Sequence, residues 1–344
     1  MIKEFILGKH MPFKACHAST VIETRSGGFL AAWFGGSREG GDDVAIWGSR
    51  KRNNAWSEPE LFAKVNAQPH WNPVLFSGSG SELFLYFKIG KNCRHWQTWV
   101  MSSKDDGENW SIPKKLIPGN MGGRGPVKNK CLELSDGIWL APASSEIGWW
   151  QAFVDRSEDK GRSWSRSGFV PMDKKNLSTD ENGGQVQFQV IQPSLWESTP
   201  GSVHMLLRSS SGKICRSDSG DGGRSWSKIY EISLPNNNSG IDLAKLSNGE
   251  LLLAFNPVGK NWGPRCPMTL VLSKDNGETW GSMLDMEKEP GREYSYPAVI
   301  STSDGGAAIT YTWGRENIAF VKLTSQDLGS KFKSSRPAVK NGNY

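Results

Sequence analysis

The sequence predicts an all-β fold, a six-bladed β-propeller, from three observations. A phrase of the form S-x-D-x-G-x-x-W recurs at a nearly constant interval, the runs that flank it resemble short strands, and almost no stretch has the apolar spacing of an amphipathic helix. A fixed interval of about 50 residues is typical of propellers and other repeat arrays. The four full copies are SKDDGENW (103–110), SEDKGRSW (157–164), SGDGGRSW (219–226) and SKDNGETW (273–280).

Each copy of the phrase predicts a hairpin turn on the rim of the molecule. Its Asp would cap backbone N–H groups, its Gly would supply a positive φ, and its Trp would pack between neighbouring units. A degenerate fifth copy, SRKRNNAW (49–56), keeps the Ser and the Trp, and the five tryptophans are 54, 54, 62 and 54 residues apart. At this interval 344 residues hold six units, and four strands per unit make a propeller with protected edges. We assign these turns no catalysis.

Composition limits the classes of protein and of partner. No apolar run approaches the roughly 18–20 residues of a membrane-spanning helix, and the start of the chain shows no secretory leader, so we expect a cytoplasmic protein with no membrane partner. Five widely spaced cysteines without a CxxC pair argue against disulfides or a zinc site, and no motif demands a metal, nucleotide or flavin. The net charge of +6 favours an acidic sugar over nucleic acid, because no nucleic-acid-binding motif is present.

The repeats extend along nearly the whole chain. We therefore expect a single propeller domain over residues 1–330. The basic C-terminal stretch KFKSSRPAVKNGNY (331–344) is expected to be a flexible tail.

A second phrase, a polar residue often followed by Pro and then an apolar strand, recurs out of phase with the first. In a propeller the innermost strand of each blade starts at one end of the central channel, so six equivalent strand starts surround one pocket. Polar and varied residues there predict a ligand site, the alternative being a water-filled channel. The six ring positions are His17, Asn72, Asn129, Gln192, Ser239 and Tyr296.

The S-x-D-x-G-x-x-W phrase is the Asp-box, and over about residues 10–325 the chain resembles the sialidase (neuraminidase) superfamily, especially its BNR-repeat, neuraminidase-like branch. The resemblance implies a six-bladed propeller that hydrolyses glycosides of acidic sugars. It implies three arginines on the sugar carboxylate, a Tyr nucleophile helped by a Glu, and an Asp as acid and base. Tyr serves as nucleophile because a carboxylate would be repelled by the substrate's own carboxylate.

Two of the implied arginines stand at matching positions. Arg208 follows the fourth inner strand, and Arg265 precedes the last Asp-box. The planar fork of Arg suits a carboxylate, since it donates two parallel charge-assisted hydrogen bonds. The first arginine is replaced by His17, which binds a carboxylate only when protonated but can also act as an acid or a base.

The loop GGSREGGDDVAIW matches the position of the acid. Asp43, or its neighbour Asp42, is the residue that the resemblance assigns to the acid/base role. Arg38 and Glu39 lie in the same loop and are candidate substrate-binding residues. Turn chemistry alone does not explain so many charges in one Gly-rich loop.

The segment REYSYPAVI offers two nucleophiles. Tyr294 matches the Tyr-Ser wording of the family, and Tyr296 matches the register of the inner strands. Alternate strand residues face the same way, so both can reach the pocket, and we favour Tyr296. The helper Glu is replaced by Gln192, which cannot accept a proton, and without a base a Tyr of pKa about 10 is a poor nucleophile. Glu197 and Glu146 are candidate substitutes.

Several more side chains are candidates for the rim of the pocket. Tryptophan faces stack on sugars, and the chain holds 16 tryptophans, although at least five belong to the rim turns. The candidates for substrate contact are Lys88, Trp96, Lys128, Lys130, Glu146, Trp149 and Trp150.

The sequence leaves three functions open. The first is hydrolysis of a terminal acidic sugar, a sialic acid or a related nonulosonate or uronate, with Asp43 as the acid and His17 as the candidate base. The second is a polysaccharide lyase acting on a uronate, in which His17 and a Tyr exchange protons while Gln192 and an Arg neutralise the carboxylate. The third is a glycan-binding propeller without catalysis.

Overall fold

The computed structural model describes residues 1–8, 11–173, 177–179 and 184–332. Within these ranges the chain forms six antiparallel sheets of four or five strands and one further two-stranded hairpin. The predicted six-bladed propeller is therefore confirmed. Of the tail predicted for 331–344, residues 333–344 lie outside the described residues.

The chain begins with strand β1 (Ile2–Phe5), and blades 1 to 3 follow in sequence order. Blade 1 holds β2 (Ala15–Glu23), β3 (Phe29–Gly36), β4 (Ala45–Arg52), β5 (Ala55–Trp56) and β6 (Glu60–Ala63). Blade 2 holds β7 (His70–Ser77), β8 (Leu83–Ile89), β9 (Gln97–Ser103) and β10 (Lys114–Lys115), with a 3-10 helix at Cys93–His95. Blade 3 holds β11 (Leu132–Glu133), β12 (Trp139–Ser145), β13 (Gln151–Ser157) and β14 (Ser165–Arg166).

A short hairpin separates blade 3 from blade 4. It consists of β15 (Leu177–Thr179) and β16 (Gln185–Gln187). Blade 4 holds β17 (Val190–Thr199), β18 (Ser202–Ser209), β19 (Lys213–Ser219) and β20 (Tyr230–Pro235). Blade 5 holds β21 (Asp242–Lys245), β22 (Leu251–Phe255), β23 (Met268–Ser273) and β24 (Met283–Glu287). Blade 6 holds β25 (Tyr294–Ser301), β26 (Ala307–Trp313) and β27 (Asn317–Leu323), and helix α1 (Ser325–Lys331) follows.

The N-terminal strand closes the ring. Strand β1 pairs antiparallel with β27, from Ile2 opposite Lys322 to Phe5 opposite Ala319, and so supplies the fourth strand of blade 6. The first and last segments of the propeller are thereby held in one sheet. Neither described helix is long and apolar enough to cross a membrane.

The core consists of six apolar clusters, one between each pair of neighbouring blades. Between blades 1 and 2, for example, Leu30 and Leu85 are fully buried against each other's sheets. Full burial of such a side chain contributes about 1.5–3 kcal/mol. The propeller is thus held together mainly by contacts between blades, which leaves the axial channel free for polar groups.

The four S-x-D-x-G-x-x-W turns have one common geometry. In blade 2 the Ser103 hydroxyl donates to Asp105 Oδ1 (2.7 Å), and the Gly107 N–H donates to the Ser103 hydroxyl (2.9 Å). Gly107 has a φ of +85°, and a Cβ at this position would lie only 2.7 Å from Leu30 of blade 1. The glycine therefore permits both the turn and its close packing on the preceding blade. The equivalent Ser–Asp bonds are Ser157–Asp159, Ser219–Asp221 and Ser273–Asp275.

Candidate functional site

A repeated backbone irregularity shapes one end of the channel. In β2, β7, β17 and β25 the pairing register shifts at the same point of the inner strand. The residue at the shift has a left-handed backbone, which is costly for a non-glycine residue and clusters at functional sites. These residues are Ala18 (φ 55°), Asn72 (φ 40°), Gln192 (φ 54°) and Tyr296 (φ 54°).

The register corrects one ring assignment. Ala18, not His17, is the blade 1 equivalent of Gln192 and Tyr296, and His17 precedes it as the last paired residue before the shift. His17 nevertheless reaches the site, because its ring centroid lies 4.3 Å from that of Tyr296.

The Tyr296 hydroxyl is the polar centre of the site. Arg208 Nη1 donates to it at 2.9 Å, and Gln192 Nε2 donates to it at 3.4 Å. Arg208 Nη1 also donates to Gln192 Oε1 (3.2 Å), so the three side chains form a closed triangle. Two donors aimed at one oxygen are the arrangement that stabilises negative charge on it.

Arg208 is held in place from all sides. It is only 3% exposed, and its Nε donates to Asn238 Oδ1 at 2.9 Å. Its guanidinium carbon lies 5.7 Å from the ring of Trp150 and 5.6 Å from the ring of Trp262. Cation–π attraction of this kind stabilises a desolvated charge. Nη2 of Arg208 has no hydrogen-bond acceptor among the residues that the structure describes.

Arg265 approaches Tyr296 from blade 5. Its guanidinium carbon lies 5.7 Å from the centre of the Tyr296 ring, and Nη1 pairs with Glu293 at 2.9 Å. Glu293 also accepts from Arg315 Nε (3.0 Å), and Arg315 in turn pairs with Glu39. Burial alone would raise the pKa of the Glu293 carboxyl, but the two arginines and a bond from Ser295 lower it. Glu293 therefore stays ionised between its two cations.

His17 is a neutral imidazole in a cationic environment. The side chain is buried, and burial lowers its pKa well below the ordinary value, with Arg315, Arg265, Lys128 and Arg208 lowering it further. Its Nδ1 pairs with the Thr312 hydroxyl at 2.9 Å. Among the described residues, the hydrogen bonds to the Tyr296 hydroxyl come from Arg208 and Gln192 rather than from His17.

Lys128 lies beneath the Tyr296 ring, with its Nζ 5.9 Å from the ring centre. The Nζ donates to Asn129 Oδ1 (2.8 Å), to the Ile241 carbonyl (3.0 Å) and to the Pro297 carbonyl. Burial lowers its pKa to about 7. Four cationic side chains, Arg208, Arg265, Arg315 and Lys128, therefore act electrostatically on one spot beside Tyr296.

Glu146 is an acidic side chain with one oxygen shielded from water. Its Oε1 is buried without a hydrogen-bond partner among the described residues. Burial raises the pKa of the carboxyl, and the attraction of Arg208 and Lys88 only partly offsets this. Glu146 lies on the β12–β13 loop, which also places Trp150 against Arg208. A carboxyl of raised pKa near the charge of Arg208 has the properties of a proton donor.

The acidic residues of the loop 37–43 have different surroundings: Asp42 and Asp43 are exposed on the loop, whereas Glu39 contacts Arg315. Both oxygens of the Asp43 carboxylate accept from Ser37, from its N–H at 2.7 Å and from its hydroxyl at 2.8 Å. These bonds lower the pKa of Asp43. Asp43 and Asp42 are exposed, and the Asp42 carbonyl accepts from Lys64 Nζ (2.5 Å). Glu39 instead reaches Arg315, which joins the loop to the cationic cluster.

The remaining predicted residues connect neighbouring blades, are buried, or lie exposed on a loop. The Asn72 amide donates to the Val127 carbonyl (3.0 Å), and the Asn129 amide donates to the Gln192 carbonyl (3.1 Å), so each ties two neighbouring blades. Lys88 is fully buried and donates to the Thr98 hydroxyl (2.6 Å). Ser239 is buried with its hydroxyl unpaired among the described residues. Arg38 lies exposed on its loop.

Tyr294 is not part of the site. It is fully buried in the apolar cluster between blades 5 and 6, together with Met268 and Tyr311. The expectation that Tyr294 and Tyr296 share a face is wrong, because the left-handed backbone at Tyr296 and the register shift that follows it break the two-residue alternation.

A family model described as a BNR repeat-like domain matches residues 27–309. The chain belongs to the BNR repeat-like family. No curated protein matches the sequence.

Solved structures share the propeller fold at low sequence identity. A protein of unknown function from Dyadobacter fermentans DSM 18053 has a TM-score of 0.75 and 15% identity over 94% of this chain and 97% of its own. The Hadza microbial sialidase Hz136 has a TM-score of 0.74 and 17% identity over 91% of this chain and 66% of its own. The NanB sialidase from Streptococcus pneumoniae, as a K499G mutant, has a TM-score of 0.73 and 13% identity over 92% and 69%. The predicted resemblance to sialidase-like propellers is confirmed at the level of the fold.

Sequence reasoning missed four residues of this BNR repeat-like propeller. They are Asn238, Trp262, Glu293 and Arg315, all in loops or turns at the channel end where Tyr296 lies. In sequence Trp262 resembles an ordinary loop residue. In the structure it is 62% exposed and has a positive φ. The one available signal was the run REYSY, in which Glu293 directly precedes the inner strand of blade 6.

Proposed function

We propose that this protein is a glycoside hydrolase that binds a terminal acidic sugar beside Tyr296 and cleaves its glycosidic bond. The observation that carries the proposal is the convergence of Arg208, Arg265, Arg315 and Lys128 on Tyr296 and His17. Among the residues that the structure describes, the carboxylates paired with this cluster are Glu293 and Glu39. Such an excess of positive charge favours an anionic ligand.

Recognition of the sugar carboxylate falls to Arg208 and Arg265. The described bonds use Nε and Nη1 of Arg208 and Nη1 of Arg265, so each guanidinium keeps a free donor edge among the described residues. Both lie less than 6 Å from the Tyr296 ring. The carboxylate would therefore be bound next to the carbon that reacts, and Trp150 and Trp262 offer apolar faces for the sugar ring.

Tyr296 is the nucleophile in this mechanism. Its oxygen forms a bond to the anomeric carbon while the glycosidic C–O bond breaks. The phenol proton passes to the neutral imidazole of His17, whose ring centroid lies 4.3 Å from that of Tyr296, and it returns to the tyrosine oxygen when water releases the sugar. Arg208 and Gln192 stabilise the oxygen as charge develops. Gln192 thus acts as a hydrogen-bond donor to the nucleophile, in place of the proton acceptor that the family resemblance implies.

Glu146 is the proton donor in this mechanism. The leaving oxygen takes the Glu146 proton, and the resulting carboxylate then deprotonates the water that releases the sugar from Tyr296. The raised pKa of Glu146 keeps its carboxyl protonated over a wider pH range, as an acid requires. Asp43, the acid that the family resemblance suggests, has a lowered pKa because Ser37 stabilises its ionised form.

One observation favours elimination as a second candidate function. His17 is a buried neutral imidazole, and Gln192 lies beside Arg208 without any negative charge of its own. In a uronate lyase a neutral base removes the proton at C5, Tyr296 protonates the leaving oxygen at C4, and Arg208 with Gln192 neutralises the carboxylate. The product would carry an unsaturated uronate that absorbs ultraviolet light.

The test is a turnover screen with fluorogenic α-sialosides and hexuronides, with ultraviolet absorbance followed on uronate polysaccharides. Arg208→Lys keeps the charge but loses the fork, and Arg162→Lys on the exposed rim is the matched control. The hydrolase is supported if the rate of fluorophore release falls in Arg208→Lys and is unchanged in Arg162→Lys. Rising ultraviolet absorbance without hydrolysis supports the lyase. Saturable binding of an acidic sugar with no turnover contradicts both and leaves a glycan-binding propeller.

A further inference from the structure

A second polar cluster lies at the opposite end of β17 from Gln192. Ser198 is six residues further along the strand, a distance of about 20 Å at roughly 3.3 Å per residue. Its neighbours are His204 on β18 and Asp218 on β19, which the sheet register places directly opposite each other. The cluster is therefore separate from the Tyr296 site.

The three side chains form a continuous hydrogen-bonded row. The Ser198 hydroxyl lies 2.8 Å from His204 Nε2, and His204 Nδ1 lies 2.5 Å from Asp218 Oδ1. This order of serine, imidazole and carboxylate, with the two ring nitrogens used in opposite directions, is the geometry of an activated serine.

The surroundings fix the tautomer of His204. The Trp196 indole N–H can only donate, and it donates to Asn276 Oδ1 at 2.7 Å. The Asn276 amide nitrogen then faces His204 Nε2 at 3.2 Å, so Nε2 must present its lone pair. We therefore place the proton on Nδ1, from which it is donated to Asp218, although Arg216 Nη2 also lies 3.3 Å from Nδ1. The Nε2 lone pair is shared between the Asn276 amide and the Ser198 hydroxyl, and that hydroxyl also lies 3.4 Å from the Ser202 carbonyl.

Asp218 is held as a carboxylate. Burial alone would raise its pKa, but hydrogen bonds from His204, Tyr230 and Arg216 outweigh burial and bring the pKa to about 2. Tyr230 donates at 2.8 Å and Arg216 Nε donates at 2.9 Å. An ionised Asp218 orients the imidazole and stabilises the imidazolium that forms when Ser198 loses its proton.

Ser198 is accessible and has a cation beside it. Its residue is partly exposed, and Lys245 Nζ donates to the carbonyls of Glu197 (2.8 Å) and Ser198 (3.0 Å). These two bonds leave one ammonium hydrogen beside the serine. A cavity of about 560 Å³, which all six blades line, opens at this end of the channel. It is lined by Glu197, which precedes Ser198, and by Lys245, which binds the Ser198 carbonyl, so it reaches the neighbours of Ser198 rather than Ser198 itself.

We propose that Ser198, His204 and Asp218 form a second hydrolytic site, a serine esterase that acts on small acyl esters. Ser198 Oγ attacks the ester carbonyl, and its proton passes to His204 Nε2. The ester C–O bond breaks, and the alcohol leaves with that proton. Water, deprotonated by His204, then attacks the acyl-serine and releases the carboxylic acid. Lys245 supplies the positive charge for the oxyanion in both steps.

The first test is labelling of the purified, folded protein with a fluorophosphonate probe, followed by peptide mapping. We expect modification of Ser198, with labelling lost in Ser198→Ala and retained in the matched control Ser202→Ala at the same hairpin. Thermal unfolding of each variant confirms the fold. No modification of Ser198 in the wild type, or equal labelling of the protein in Ser198→Ala, overturns the proposal.

The second test is hydrolysis of p-nitrophenyl acetate. His204→Gln should lower kcat/KM by about 10²–10⁴-fold, the usual contribution of a general base. Arg162→Lys, on the exposed rim and part of neither site, should leave this activity unchanged. The esterase proposal fails if His204→Gln hydrolyses the ester as fast as the wild type, whatever the outcome of the glycosidase screen.

Discussion

Arg208 Nη1 donates a hydrogen bond of 2.9 Å to the hydroxyl of Tyr296, although the two residues are 88 positions apart in the chain. The bond joins blade 4 to blade 6 across the channel. It gives the tyrosine oxygen a cationic neighbour, and it orients the guanidinium so that its free edge faces the same space. In the proposed mechanism, substrate recognition and the chemistry of Tyr296 are therefore coupled through one side chain.

This coupling predicts strongly non-additive variants. Tyr296→Phe removes the nucleophile, and Arg208→Lys removes the donor that stabilises it, so each should lower kcat of the hydrolase by about 10²–10³-fold. The double variant should lose little more than either single variant, because the two groups act as a unit. Full additivity in a double-mutant cycle on kcat would show that the bond has no part in catalysis.

Much of the fold was predictable because its signals are local. The turn that contains Asp105 and Gly107 recurs three more times in the chain, and the interval between the copies gives the number of blades. Arg208 and Tyr296 could be placed at the channel because each follows or starts an inner strand. The strand β1 could not be assigned to blade 6, since its four residues carry no sign of partners near the other end of the propeller, at Ala319–Lys322.

The site itself was less predictable because its decisive features depend on burial and backbone. The left-handed conformation at Tyr296 cannot be read from alternation, so Tyr294 remained a second candidate beside the favoured Tyr296 in sequence. Arg315 and Glu293 resemble ordinary charged loop residues until the fold brings them together. Glu146 becomes an acid candidate only through its unpaired, buried oxygen.

Gly240 is predicted to be essential for the position of Tyr296. A Cβ on Gly240 would lie 3.2 Å from Lys128 Cε and 3.3 Å from Tyr296 Cδ2. Gly240→Ala should therefore displace the ring and lower kcat/KM by between about 10- and 100-fold, since a shift of about 1 Å can cost this much. Gly80→Ala is the matched control, because a Cβ there meets nothing within 4 Å. Equal activity of the two variants would refute the prediction.

Lys128 is predicted to make stability depend on pH. Its folded pKa is about 7, below the 10.5 of an exposed lysine, so between these values the unfolded chain holds a proton that the native chain lacks. The free energy of unfolding should therefore rise as the pH increases from about 7 to 9, by up to roughly 2–3 kcal/mol at about 1.4 kcal/mol per unit. Buried Lys88, whose pKa is also lowered to about 7, adds a similar rise of its own. Lys128→Met should therefore remove only the share of Lys128 in urea titrations, and Lys274→Met, at an exposed site, should preserve the whole rise.

Glutamate–serine contacts between blades are predicted to stabilise the ring. Glu23 of blade 1 accepts from the N–H (2.7 Å) and the hydroxyl (2.8 Å) of Ser303 in blade 6. The same pairing recurs between Glu133 and Ser79 and between Glu197 and Ser135. Glu23→Ala should lower the free energy of unfolding by about 1–2 kcal/mol, as expected for partly exposed bonds to a charged group.

The control for this contact is Glu58→Ala, at an exposed glutamate of blade 1. Its free energy of unfolding in urea should equal that of the wild type. A Glu23→Ala variant as stable as Glu58→Ala would mean that these contacts add nothing to the free energy of unfolding and that the apolar clusters alone stabilise the ring.

The choice between Glu146 and Asp43 as proton donor is predicted to appear in the leaving-group dependence. An acid is needed most when the leaving group is a poor one, so Glu146→Gln should slow release of a sugar alcohol by about 10²–10⁴-fold and release of an activated phenol much less. The raised pKa of Glu146 also sets the alkaline limb of the wild-type profile, because activity falls once this carboxyl ionises. Asp43→Asn should leave that limb in place, since the lowered pKa of Asp43 leaves it ionised throughout. If instead Asp43→Asn carries the selective loss on the poor leaving group and Glu146→Gln does not, the exposed loop supplies the proton and the buried glutamate serves only to orient Arg208.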